Sequence, residues 1–488
     1  MRRATTVLAV VVAATLGAAA PAGAAPRTPV DVRVMSFNVW LGGEVLDSGA
    51  VVRAIRDSGA DIVGLQEAEG NTARIARALG WPYWSDRLHV VSRLPLLDPP
   101  TARGAYVLAQ VRPGQVFALA NEHLTSDPYG PYLVRDSRTI ARVLRNERAA
   151  RVPEIRAALR GVRPALDRGI PTLLTGDFNS PSHLDWTPAT VGVRAGLRYP
   201  VPWPVTRAVA AAGFQDTYRA VHPDPVANPG ITWTFGYPFP RLRRNEVVDR
   251  IDYVHASAGV QVLDSGIAGP SGTPDVTVPV DPWPSDHRAV ISTVRLTPAV
   301  PPLLASVLDR RVERGDRILV RYAAQPGQPR MTLRIVRHGG APGDALLQLP
   351  PQEAGYYGAV RFGSGGLRPG TYDALLVDAS GQVRSRAPFW VVRRGARPVV
   401  RVPATLRARS PIRVAWRNAP ADRFDWVGIW KAGEADLFAY RGFAYTGARV
   451  AGRTRLPGLP PGRYVARLLA DDGYAVLAQA TFTVAARR

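Results

Sequence analysis

Leu173-Leu174-Thr175-Gly176-Asp177-Phe178-Asn179 is where an apolar run stops and polar chemistry can begin. Positions 171–175 are apolar or β-branched and read as a buried strand. Gly176 can turn without a Cβ penalty. Asp177 and Asn179, two apart on an extended segment, point the same way. One can hold a cation or a water while the other donates to an anionic oxygen. Gly-Asp-x-Asn is equally a good turn, so the stretch acquires meaning only from its company.

That company is present. Val34-Met35-Ser36-Phe37-Asn38-Val39-Trp40 reads as a strand ending in an amide, and Asp61-Ile62-Val63-Gly64-Leu65-Gln66-Glu67 as one ending in a carboxylate. Ala118-Leu119-Ala120-Asn121-Glu122-His123-Leu124 ends in an imidazole. Arg250-Ile251-Asp252-Tyr253-Val254 and Ser285-Asp286-His287 complete the series. In order and spacing this set resembles the endonuclease/exonuclease/phosphatase superfamily, whose fold is that of deoxyribonuclease I, over roughly residues 30–297. Val91-Ser92-Arg93-Leu94-Pro95 resembles the family's Leu-Ser-Arg-x-Pro stretch.

The resemblance implies a four-layer α/β sandwich, with two mixed sheets face to face and helices outside. It also implies roles. Glu67 and Asp286 are expected as metal ligands, and Asn38 bonds a ligand or lies close to the metal. Asp177 orients or deprotonates the attacking water, and Asn179 donates to the phosphate. His287 contacts a phosphate oxygen while Asp252 fixes its tautomer from behind and favours its charged form. His123 resembles the histidine that assists the leaving group, although a core histidine is the other reading of that position. Mg²⁺ is the expected cation, with Mn²⁺ and Ca²⁺ as alternatives, because a chain without cysteine offers only oxygen and imidazole ligands. Phosphoester hydrolysis needs such a cation, a positioned water, donors for the growing charge and help for the leaving group.

Subfamily signatures are missing. Inositol 5-phosphatases place Trp before the Gly-Asp and Tyr-Arg after the Asn, whereas here Thr175 precedes and Ser180-Pro181 follow. Neutral sphingomyelinases follow the histidine with Leu-Gln, but this chain has Leu124-Thr125. Nucleic acid, phospholipid and inositol phosphate all stay open as substrates.

The flanks set the rest of the expectation. Residues 1–25 read as a signal peptide: Arg2-Arg3, an apolar run over 7–20, then Ala22-Gly23-Ala24. A secreted monomer without a transmembrane span follows. Catalytic domain 26–297 should contain helices near 47–58, 71–79 and 132–166, the last group interrupted by Pro153. The proline-rich loop 180–204, with His183, Trp186 and Trp203, either borders the substrate or packs by its tryptophans. Beyond it, β-rich runs alternate with Pro and Gly turns. Ile318-Leu319-Val320-Arg321-Tyr322 matches Ile412-Arg413-Val414-Ala415-Trp416, and Gly366 to Tyr372 matches Gly458 to Tyr464. The repeat predicts two immunoglobulin-like β-sandwich domains, 298–395 and 396–488. Asp425-Trp426-Val427-Gly428-Ile429-Trp430-Lys431 in the second resembles the core of a small β-sandwich that directs some inositol 5-phosphatases to membranes.

The formal net charge is +23. Residues 298–488 hold 30 basic against 13 acidic side chains, while 1–297 are near balance with 32 and 26. Such a tail reads as a soluble arginine-rich surface or as an attachment to an anionic membrane or cell-wall polymer. On either reading it carries no chemistry, so a chain ending at Thr297 should keep the whole site. A different class is a non-catalytic envelope protein that binds polyanions.

Overall fold

The structure is a computed structural model that describes residues 27–102, 104–194, 196–324, 331–350 and 357–486. The expected signal peptide lies outside the described residues. Among them, no helix is long and apolar enough to cross a membrane.

Strand Val30–Asn38 is the middle member of a seven-stranded sheet, parallel to Ile62–Gln66 and antiparallel to Ala289–Leu296. Gln115–His123 and Thr172–Asp177 run parallel at the centre of a six-stranded sheet, with Asp252–Ser257 antiparallel beside them. Period-two alternation assigns each strand's two faces. Val32, Val34 and Ile62 of one sheet meet Phe117, Leu119, Leu173 and Val254 of the other in a shared core. The opposite faces, Met35 and Phe37 on one sheet and Val116, Ala118 and Leu174 on the other, are covered by helices Ser48–Asp57 and Thr72–Leu79 and by Arg151–Leu166 respectively. This is the expected four-layer α/β sandwich.

One detail differs from expectation and one open alternative is decided. The 132–166 helical region is interrupted at 136–139, after Gly130–Arg135, and again at Ala150, between Ile140–Ala149 and Arg151–Leu166, and not at Pro153. Pro153 sits in the first turn of the last of these helices, where a missing N–H costs nothing because that donor has no intrahelical acceptor. In the proline-rich loop, Trp186 and Trp203 are buried against each other, ring centroids 5.1 Å apart, with Val134, Val143 and Leu197 around them. Packing, and not substrate contact, accounts for these tryptophans.

The remainder of the chain is mostly β-strand and folds twice in the same way. In each half a three-stranded sheet is built around Arg317–Ala323 or Ile412–Arg417, and a five-stranded sheet around Gly370–Val377 or Gly462–Leu469. Strand order is identical in the two halves, down to a register irregularity at Leu376/Val377 and Leu468/Leu469. The matched tyrosines do the same job: Tyr372 donates to the Arg368 carbonyl and stacks on Phe389, while Tyr464 donates to the Pro460 carbonyl and stacks on Phe482. Each half has its own core. We refer to them as the first and second β units.

Candidate active site

The site grows out of the inter-sheet core. Rows that carry Val32 and Val34, Leu119, and Leu173 on the inner face turn polar toward the strand ends: Ser36 and Asn38, Asn121 and His123, Thr175 and Asp177. Just below the site these side chains form a bonded layer. Gln66 Nε2 donates to Asn121 Oδ1 at 2.7 Å, Thr175 Oγ1 donates to the same oxygen at 2.9 Å, and Gly176 N donates to Ser36 Oγ at 3.0 Å. Gly64 permits the close approach, since a Cβ there would stand 2.2 Å from Thr175 Oγ1.

All eight residues singled out in the sequence converge above this layer. Asn38 Nδ2 is central: it lies 3.0 Å from Glu67 Oε1, 3.0 Å from Asp177 Oδ2 and 3.4 Å from His287 Nε2. Glu67, at positive φ just past its strand, also accepts from Leu41 N at 2.9 Å. Asp177 Oδ2 faces both histidines, 3.7 Å from His123 Nε2 and 3.7 Å from His287 Nε2. Asn179 N donates to Asp177 Oδ1, and its side-chain amide donates to the Leu124 carbonyl at 2.9 Å. His287 Nδ1 pairs with Asp252 Oδ2 at 2.9 Å, which places its other nitrogen toward the pocket. Asp286 Oδ2 accepts from Trp233 Nε1 at 3.2 Å.

Electrostatics follow from crowding acids with few cations. Burial opposes charging of His287, but Asp252, Asp177 and Asp286 outweigh it and raise its pKa well above the usual range. Burial pushes the Asp252 carboxyl up to about 6, yet the proton of this pair belongs on the imidazole, because three carboxylates face it. Burial, with Glu67 and Asp177 adding to it, raises Asp286 to about 7.

The donor set fits a hard divalent cation. Asp286 Oδ1, Glu69 Oε1 and Asp252 Oδ1 are buried without a hydrogen-bond partner. Asp177, Asp252 and His287 also bring one ligand atom each within 4.8 Å of one another. Oxygen-rich, undercompensated negative charge of this kind is what Mg²⁺ or Ca²⁺ neutralises.

The sequence reading missed part of the site, because it assigned no chemistry to the residues after 297. The second β unit closes one wall of the cleft, a cavity of about 250 Å³. Its Asp472 Oδ2 pairs with His123 Nδ1 at 2.5 Å. Burial works against the charged imidazole, but Asp472, then Asp177 and Glu67, lift His123 to about 10. Neighbouring pairs fasten the unit there: His89 Nε2 to Asp471 Oδ1 at 2.6 Å, and Arg423 Nη2 to Glu122 at 2.6 and 2.8 Å. Trp426, Tyr440, Phe443, Tyr445 and Tyr474 supply an aromatic wall. The expectation that a chain ending at Thr297 keeps the whole site is therefore corrected. One signal was available. Seven aromatic residues fall within 424–445, whereas the matching stretch of the first unit, 331–350, has none.

An uncharacterized Caenorhabditis elegans protein is 29% identical over 294 residues, which cover 54% of this chain and 90% of that one. Among solved structures, an AP endonuclease from Archaeoglobus fulgidus is 12% identical, covering 54% of this chain and 98% of its own, with a TM-score of 0.33. An endonuclease/exonuclease/phosphatase from Bacteroides vulgatus is 18% identical, covering 55% and 99%, also with a TM-score of 0.33. Residues 35–287, more than half of the chain, match the Endonuclease/Exonuclease/phosphatase family, whose members hydrolyse phosphoesters. The chain belongs to the endonuclease/exonuclease/phosphatase family.

Proposed function

We propose that the protein is a secreted, divalent-metal-dependent phosphoester hydrolase acting on a phosphodiester. The observation that carries this reading is the convergence of Glu67, Asp177, Asp286 and His287 on one cleft, with Asn38 and Asp252 bonded behind them and two histidines held charged around Asp177. Glu67 and Asp286, with Asn38 beside them, would hold Mg²⁺, which supplies charge neutralisation at the phosphoryl oxygens. His287, its Nδ1 tied to Asp252, presents Nε2–H to a phosphoryl oxygen. Asp177 accepts the proton of the attacking water; Asn179, which lines the cleft, fixes the Asp177 carboxylate through its backbone N–H and, with one side-chain N–H on the Leu124 carbonyl, keeps the other to donate to the phosphate. His123, charged at neutral pH beside Asp472, delivers a proton to the departing alkoxide.

The β units we read as immunoglobulin-like sandwiches, and their excess of basic over acidic residues suits contact with an anionic membrane or wall polymer. A non-catalytic polyanion-binding protein is the second reading, favoured by that charge alone. Purified full-length protein decides between them. It is offered plasmid DNA, RNA, sphingomyelin, inositol phosphates and a nitrophenyl phosphodiester, with Mg²⁺ or with EDTA. EDTA-sensitive release of product from one class is expected. No turnover with Mg²⁺, Mn²⁺ or Ca²⁺, combined with salt-sensitive binding to acidic vesicles, would favour the second reading.

A further inference from the structure

We propose that the aromatic wall of the second β unit is the subsite for the substrate's leaving group, and that this group is uncharged and flat or apolar, not a segment of a polyanion. This deepens the phosphoesterase reading and rests on it. The wall is joined to the histidine assigned to the leaving group, since Tyr445 Oη donates to Asp472 Oδ1 at 2.8 Å and the other Asp472 oxygen holds His123. Around Trp426, the rings of Tyr440, Phe443 and Tyr474 stand edge-on at 5.6, 5.8 and 5.8 Å. Phe438 packs on Tyr474 at 4.6 Å yet is 62% exposed at the rim, an aromatic ring left largely in water beside a catalytic cleft.

Charge supplies the second half of the argument. The chain has 61 arginines, but among the described residues lining the cleft there is neither arginine nor lysine. Glu67, Glu69, Asp177, Asp286 and Asp472 face it instead. A polynucleotide or an inositol polyphosphate brings several phosphates, and each calls for its own cationic partner. Here the two histidines and one bound cation suffice for a single phosphoryl group. The space beyond is apolar on one side and acidic on the other, which disfavours further anionic groups.

The test uses the full-length protein with Mg²⁺ and two diesters that differ only in the leaving group, methyl phenyl phosphate and methyl 2,2,2-trifluoroethyl phosphate. Phe438→Ala, at an exposed position, and Tyr474→Ala are compared with wild type. The phenyl-to-trifluoroethyl ratio of kcat/KM should fall about tenfold in each variant, the scale of a lost stacking partner. An unchanged ratio in both variants overturns the proposal. An independent arm titrates wild type and Phe438→Ala with phenylphosphonate and methylphosphonate, which are not hydrolysed, following tryptophan fluorescence. Selective loss of phenylphosphonate affinity by about tenfold supports the subsite, and equal affinities for the two ligands in wild type would sink it. If wild type hydrolyses neither diester and shows no EDTA-sensitive turnover of the five substrates above, the phosphoesterase reading fails, and the phosphonate arm still decides whether the wall binds such groups.

Discussion

Asp472 converts His123 from an ordinary imidazole into a group that stays protonated to about pH 10. Asp472→Asn keeps the shape but removes the charge, so His123 should titrate lower. Turnover should drop by about 10–100-fold, the usual cost of losing a residue that orients a catalytic one. The alkaline limb of the kcat profile should move to lower pH, a shift that damage to packing alone would not produce. A variant with lower kcat but an unmoved limb would show that Asp472 is structural. Glu67→Ala and Asp286→Ala each delete a formal charge at the cation site and should lower turnover by orders of magnitude while weakening the Mg²⁺ response. Full activity with the original Mg²⁺ dependence in either variant would refute the metal assignment. The eight residues named from sequence were legible because each stands next to an apolar strand run in a family order. Asp472 was not, because its partner His123 lies 349 positions away and no local pattern ties them. Asp471-Asp472-Gly473 by itself reads only as a turn.

Strands carry the site as a consequence of period two: the residues that fill the inter-sheet core and those that do chemistry lie in the same rows. The layer between them is polar, buried and closely packed, so it should be intolerant of added volume. Gly64→Ala would set a methyl 2.2 Å from Thr175 Oγ1 and 2.4 Å from Asn121 Oδ1. Neither neighbour is free to yield, since both are bonded within the layer. A loss of about 1–3 kcal/mol in unfolding free energy is expected from urea melts. Wild-type stability in Gly64→Ala would mean that the two sheets can part without cost. Strand positions and faces could be read from the sequence because apolar alternation is a local signal. The placement of the helix break could not, because Pro153 is tolerated in a first turn just as well as it would end a helix. Trp186 and Trp203 were ambiguous for a related reason, as a tryptophan in a loop looks alike whether a ligand or the Val134 and Val143 side chains cover it.

Taken whole, the molecule is a catalytic sandwich whose cleft is finished by its last β unit, and this arrangement reverses the expectation for truncation. A chain ending at Thr297 lacks Asp472 and the aromatic wall, and it loses Ala299, Leu304 and Ala323 from the catalytic core. Its turnover of a soluble diester should fall at least about tenfold, the loss expected from removing Asp472 from behind His123 alone; undiminished turnover would return the β units to an attachment role. The docking itself rests on buried charge pairs, of which His89 with Asp471 is one that pH can interrogate away from the chemistry. Burial disfavours the His89 imidazolium, but Asp471, with Asp472 and Asp422 behind it, raises the folded pKa above the ordinary 6.5. A raised folded pKa means that the pair's contribution is complete below pH 6.5, declines above it, and is gone once the pH passes the folded value. His89→Gln leaves Asp471 buried without its cation and should cost about 3 kcal/mol at low pH. The stability difference between wild type and His89→Gln, measured by urea melts at a series of pH values, should therefore be flat up to about pH 6.5 and shrink steadily as pH rises. Unfolding must be followed by a probe on each side of the interface, because a unit that undocks first would make the transition other than two-state. A difference that stays constant across the whole range would show that His89 is held neutral, and that hydrogen bonding without charge anchors the second β unit over the cleft.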